Sequence, residues 1–229
     1  MNFLAHFILA SQIENPEFHT GSILPDIGRR AGFQLSKSVL PDAFPVQLGL
    51  LMAGMDLHWF ADKHFHDSAF FWNGYNLWKD EIGFQISGVN RKFFLYHLLF
   101  EMWLDRILMS SNPAIGDLMY ASLQQTDPEL IRLFSFEMAG DHKQKIQDTL
   151  TDFNQRKFVL DYANDLKFSG IASGVFAHVT KQNQDADLRE LLPKSLSKMD
   201  RYSELILKDW ELFSDKLMQD WNQSRNSKS

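Results

Sequence analysis

Between Asp56 and Asp67 the chain reads DLHWFADKHFHD, which crowds His58, Asp62, His64 and His66 into nine residues. On a helix, His58, Asp62 and His66 recur at i, i+4 and i+8 and share one face, while His64 points off it. Neutral imidazoles beside a carboxylate form the donor set that a borderline cation such as Zn²⁺ or Mn²⁺ seeks. The plainer reading is a solvated helix face, where histidine is common. A second cluster lies in FFLYHLLFEMWLDRIL, where His97, Glu101 and Asp105 repeat the i, i+4, i+8 spacing. Its surroundings are strongly apolar, and a carboxylate or imidazolium buried there needs a partner. A cation suits both groups. A His–Glu hydrogen bond inside the core, with Asp105-Arg106 marking an exposed side, is the competing reading.

Two more positions are candidates by type. His6 stands among Phe3, Leu4, Phe7 and Ile8, and Asp26 follows Pro25. A lone histidine on an apolar helix is more often a core histidine with satisfied hydrogen bonds, and Pro-Asp is more often a turn or cap. His19, His142 and His178 lack an acid at helical spacing on an apolar face; of these, His178 lies in an apolar segment and remains a weak candidate.

The elements that must position these groups read as helices throughout. Apolar residues recur at three- and four-residue spacing, with no sustained alternation of period two. The expectation is an all-α, single-domain bundle over residues 1–221, followed by a disordered polar tail over 222–229. Expected helices run about Asn2–Gln12, from Asp42 or Pro45 to the His66 region, Asn90–Met109, Ile115–Gln125, Asp127–Phe136, Asp141–Tyr162, Gly170–Val179 and Asp187–Trp221. Phe70–Trp78 reads as a short helix and loop, and loops are expected through Asn15-Pro16 and Gly21 and through Gly28 and Gly32. At 229 residues the core is ample, and the absence of cysteine leaves only His, Asp and Glu to hold a metal. The net charge of −6 argues against broad nucleic-acid binding. MNFLAHFILASQI lacks a basic n-region and a cleavage site and is too short to span a bilayer, so a cytoplasmic protein without a membrane span is expected. The 20 Phe and 6 Trp do not discriminate function, since aromatic stripes at helical spacing are usually core.

MNFLAH at the start, GSILPD, and AG-x-x-x-H-x-x-x-D from Ala53 to Asp62 resemble the bacterial acyl carrier protein phosphodiesterases. The likeness continues in order through the His97–Leu104 helix, FVLDYANDLKFSGIAS and KMDRYSELILKDWELFSDKLM, and so spans nearly the whole chain. It implies an all-helical fold related to the HD-type phosphohydrolases. It also implies a divalent cation, and removal of the 4′-phosphopantetheine arm from a serine of holo acyl carrier protein. His6, Asp26, His58 and Asp62 match the family's polar motif positions. Departures are concentrated at the chemistry: Trp59-Phe60 replace a usual basic pair, His66 an aspartate, His97 and Glu101 two aspartates, and Met102 a histidine. Histidine for aspartate softens the donor set and favours zinc over magnesium. Pro-Asp, His-x-x-x-Asp-x-x-x-His and His-x-x-x-Glu are also similar to the ligand order of the helical zinc-dependent phospholipase C and P1-type nuclease families.

Taken jointly, His6, Asp26, His58, Asp62, His66, His97 and Glu101 would be enough for two cations. Zn²⁺ or Mn²⁺ is favoured, and Mg²⁺ and Fe²⁺ are the other choices. The reaction class is phosphoester hydrolysis, with Asp62 or Glu101 as base, His64 as a candidate acid, and Arg29 and Arg30 meeting a substrate phosphate. Three readings stay open: a phosphodiesterase acting on acyl carrier protein, a phosphoesterase acting on a nucleotide or phospholipid-type substrate, and a non-catalytic helical binding protein with a vestigial metal site.

Overall fold

The computed structural model describes residues 1–35, 45–86, 91–139, 143–180 and 185–227. Among them are eleven α-helices and no strand. They are α1 (Phe3–Ala10), α2 (Pro16–Arg30), α3 (Gly49–His66), α4 (Ala69–Ile82), α5 (Lys92–Ser111), α6 (Ile115–Gln125), α7 (Pro128–Ala139), α8 (Lys143–Arg156), α9 (Asp165–Thr180), α10 (Asp185–Met199) and α11 (Ser203–Asn226). The all-α expectation holds. No helix among the described residues is long and apolar enough to cross a membrane.

The helices group into two compact units, residues 1–63 with 113–159, and residues 64–112 with 160–229. In the first unit, α1 is buried on every residue but Ile8, which suits a segment of almost unbroken apolar character. Asn15 accepts a hydrogen bond from the Phe18 amide at 2.8 Å and Pro16 occupies the first turn, so α2 starts where local chemistry marks it. The core includes Phe153, whose ring lies 4.7 Å from Phe3, 5.2 Å from Tyr120 and 5.3 Å from Phe158. The second unit is built on Phe65, Phe70, Phe71, Phe100 and Phe213, with Phe65 stacked on Phe100 at 5.8 Å. There Arg106 donates to the Tyr162 carbonyl at 2.8 Å and pairs with Asp165 at 2.7 Å, tying α5 to the start of α9.

Several boundaries differ from the sequence expectation. Gly21 and Gly28, expected in loops, and Pro25-Asp26, expected as a turn or cap, are all in the body of α2, because burial of Phe18 through Gly28 outweighs the local preference of glycine and proline to break a helix. The Phe70–Trp78 segment is a full helix, capped by Ser68, whose hydroxyl accepts the Phe71 amide at 3.1 Å. The expected Asp141–Tyr162 helix stops at Arg156, since Lys157 takes a left-handed φ of 47° and a 3₁₀ turn follows. Asn164 then accepts the Lys167 amide at 3.0 Å, so α9 begins before Gly170. The single helix expected over Asp187–Trp221 is two, separated by a 3₁₀ turn at Asp200–Tyr202. Helix α11 carries on through Asn222 to Asn226, where a polar tail was expected. The Asp42, Asn90 and Asp141 starting points lie outside the described residues, as does His142.

Candidate metal centres

Helix α3 reaches the first site by lying against α2 with no side chains between them. A Cβ on Gly21 would fall on the Leu51 carbonyl oxygen, and one on Gly54 would fall on the Phe18 carbonyl oxygen. Only glycine at both positions lets the backbones meet. One turn after Gly54, His58 is then close enough for its Nδ1–H to donate to the Ser22 carbonyl at 2.8 Å. That bond fixes the tautomer and leaves the Nε2 lone pair facing inward.

Around that nitrogen the first unit gathers its donors. His6, Asp26 and His58 each offer one ligand atom, a ring nitrogen or a carboxylate oxygen, all within 4.8 Å of one another, and all three residues are buried. His6 and His58 stack with ring centroids 3.8 Å apart. Asp62, one turn beyond His58, places Oδ1 3.1 Å from His6 Nε2 and Oδ2 3.5 Å from His58 Nε2. The Met1 amino group donates to Asp62 Oδ1 at 2.7 Å. His6 Nε2, His58 Nε2 and Asp26 Oδ2 are nevertheless buried with no hydrogen-bond partner. Three buried orphans at one point are costly in a protein interior, and a bound ion is one of the few explanations that serves all three together.

The electrostatics agree. Burial, with the charge of His58 beside it, pushes His6 down to about 3, so it presents a neutral imidazole. Burial would lower His58 too, but the Asp62 and Asp26 carboxylates outweigh it and the group is raised. Burial raises Asp26 above the usual carboxylate range, while the amino group and His58 overcome burial at Asp62 and hold it well below. The two carboxylates thus create a demand for positive charge beside two buried imidazoles. A divalent ion meets that demand.

The second unit gathers its own set. His66 Nε2 is 2.9 Å from His97 Nε2 and 3.2 Å from Glu101 Oε1, and His97 Nε2 is 2.8 Å from the same Oε1. Helix α5 supplies His97 and Glu101 at i and i+4, and the last residue of α3 supplies His66. Burial would raise Glu101, but the surrounding positive charge and the bonds from both imidazoles hold it well below the usual range.

The remaining expected residues divide. Arg29 lies at the rim, 3.6 Å from Asp26 Oδ1 and 4.0 Å from Asp62 Oδ2, with its side chain 66% exposed. Arg30 is directed elsewhere, toward Asp152 at 3.9 Å and over the Phe158 ring at 4.4 Å, because successive helix residues point about 100° apart. His64 joins neither donor group. Asp105 is fully buried and Arg106 is held by Tyr162 and Asp165, so this pair does not mark an exposed side; Asp105 stands outside the triad. His19 is a satisfied core histidine, with Ser122 Oγ at 2.6 Å and the Ile13 carbonyl at 2.7 Å. His178 is exposed on α9.

Sequence reasoning missed the Ser22 carbonyl, which carries no residue-type signal. Gly54 was legible, at i−4 from His58, but as a motif letter and not as a helix crossing. Compared with family models, curated proteins and solved structures, the chain finds no match.

Proposed function

We propose that the chain is a metal-dependent phosphodiesterase that hydrolyses the phosphopantetheine diester of holo acyl carrier protein. The observation that supports this reading most is the convergence of His6 Nε2, Asp26 and His58 Nε2 as buried, unpartnered donors with Asp62 beside them. The motif resemblance in MNFLAH, GSILPD and the Ala53–Asp62 stretch supports the substrate. His6, Asp26 and His58 would hold the cation, with Zn²⁺ or Mn²⁺ suited to two imidazoles and one carboxylate. A divalent ion there supplies an activated water and neutralises charge on the phosphoryl oxygens. Asp62, beside both imidazoles, would orient the attacking water through its carboxylate. Arg29, exposed and within 4.0 Å of Asp62, meets a substrate phosphate oxygen.

A second reading is favoured by the half-buried Trp59-Phe60, which stand where the resembling family carries a basic pair. Without those charges the substrate is a less acidic phosphoester, such as a nucleotide or phospholipid-type diester.

The test is incubation of the full chain with holo acyl carrier protein and each of Mn²⁺, Zn²⁺, Mg²⁺ and Fe²⁺, reading the loss of the pantetheine arm by mass. The expected result is release by wild type and a loss of about 10²–10⁴-fold in Asp62→Asn. No release with any metal refutes the carrier-protein reading, and cleavage of bis(p-nitrophenyl) phosphate alone moves the chain to the second. No bound metal, with unchanged stability in a His58→Ala, Asp62→Ala double variant, would mean a binding protein without catalysis.

A further inference from the structure

The three donor atoms of the second unit form a near-regular triangle with edges of 2.8, 2.9 and 3.2 Å. While the Glu101 carboxyl is ionised, protons leave one edge of the triangle unsatisfied. If both imidazoles carry Nε2–H, each can donate to Glu101 Oε1, but the two N–H groups then face each other across the 2.9 Å edge. If only one carries a proton, the bare nitrogen of the other faces the carboxylate oxygen, lone pair against lone pair. A single cation over the triangle satisfies all three edges together.

The edge lengths also discriminate the cation. Two cis ligands at about 2.1 Å in an octahedron are about 3.0 Å apart, and two ligands at that distance in a tetrahedron are about 3.4 Å apart. Every observed edge falls short of the tetrahedral value and brackets the octahedral one. Zinc in protein sites is mostly tetrahedral, whereas two histidines and one carboxylate on one face of an octahedron, with the other face open, suit divalent iron and its neighbours. Magnesium prefers oxygen donors and fits two imidazoles poorly.

The rings are held in place by packing. Phe71, itself buried, sets its edge against His66 at 5.0 Å and against His97 at 5.1 Å, and Phe65 meets His66 at 5.3 Å. The side chains of His66 and His97 are 33% and 23% exposed, which leaves room for exchangeable ligands beside a triad that is already at coordination spacing.

We propose that His66, His97 and Glu101 are a facial triad that holds an octahedral Mn²⁺ or Fe²⁺ ion of its own, with three coordination positions open. This goes beyond the phosphodiesterase reading and stands whatever reaction the chain performs.

The experiment uses the full chain stripped with chelator. Mn²⁺ binding is followed by the electron paramagnetic resonance of the free ion, and Co²⁺ binding by visible absorption, weak for six-coordinate and intense for four-coordinate cobalt. Wild type is compared with Glu101→Gln and His66→Gln, and with His58→Gln as a variant of the other group. Melting of each metal-free variant checks that it folds, and the two triad variants guard against the loss of either one. The expected result is a weak six-coordinate cobalt band that both triad variants lose and His58→Gln keeps. Mn²⁺ affinity at the site should fall at least about 100-fold in the triad variants. Mn²⁺ binding within a few-fold of wild type in both, or an intense four-coordinate band removed by them, overturns the proposal. Since no step depends on hydrolysis, carrier protein left uncleaved would refute the functional reading and leave this result untouched.

Discussion

Replacing Gly54 with alanine sets two effects of opposite sign against each other. Inside a helix the change restricts the unfolded chain and favours the folded state by roughly 0.5–1 kcal/mol. At the α2–α3 crossing, however, the new Cβ would fall on the Phe18 carbonyl oxygen and 2.8 Å from the Ser22 nitrogen. Both are backbone atoms, so no rotamer change relieves the clash and the helices must part. Overpacking of this kind costs about 1–3 kcal/mol, and backbone against backbone belongs at the upper end. The clash wins, leaving a net loss of about 2 kcal/mol, or about 4–8 °C in Tm for a chain of this length. Parting the helices also lengthens the 2.8 Å bond from His58 to the Ser22 carbonyl, so Mn²⁺ binding at the His6 group weakens in the same variant. The assay is thermal unfolding in chelator, with Gly174→Ala beside it. Gly174 is exposed on α9 and a Cβ there meets nothing within 4 Å, so that variant should gain the roughly 0.5–1 kcal/mol alone. A Gly54→Ala protein that melts at or above wild type would show that propensity outweighs the crossing, and the account of how α3 places His58 would be wrong.

Asp26→Asn should lower bound Mn²⁺ by one equivalent per chain in elemental analysis. In chelator it should melt no lower than wild type, because Asp26 Oδ2 is buried without a partner and the amide carries no charge to desolvate. His19 is lowered by burial, so its contribution is present above the unfolded value of 6.5 and is lost as pH falls. Wild type should therefore lose stability relative to His19→Gln as pH falls below 6.5 in denaturant titrations, and a pH-independent offset would count against a neutral buried imidazole. Arg106→Ala should cost about 2 kcal/mol, most of it the charged hydrogen bond to the Tyr162 carbonyl, since Asp165 and Asp200 are 44% and 47% exposed and screened by water. A loss under about 0.5 kcal/mol in urea unfolding would mean that Arg106 is an ordinary surface cation.

What the amino-acid sequence reveals follows the reach of its signals. Pairs four residues apart on one helix are written locally, and His58 with Asp62 and His97 with Glu101 meet as the spacing requires. Helix starts marked by a side-chain cap are local too, as at Asn15-Pro16. The meeting of Asp26 with His58, or of His66 with His97, depends on how separate helices cross, and no short-range pattern encodes that. Local preference even misleads where burial overrides it, since Gly21 and Gly28 read as loop and Pro25-Asp26 as a cap or turn, and all stand inside α2. The position that bridges the two scales is Gly54. It is the motif letter one turn before His58, and its missing side chain is what brings α3 against the Phe18–Ser22 backbone. The Gly54 of AG-x-x-x-H-x-x-x-D therefore shapes the candidate metal centre as much as the histidine and aspartate do: it sets the distance at which the Ser22 carbonyl can orient His58 beside His6 and Asp26.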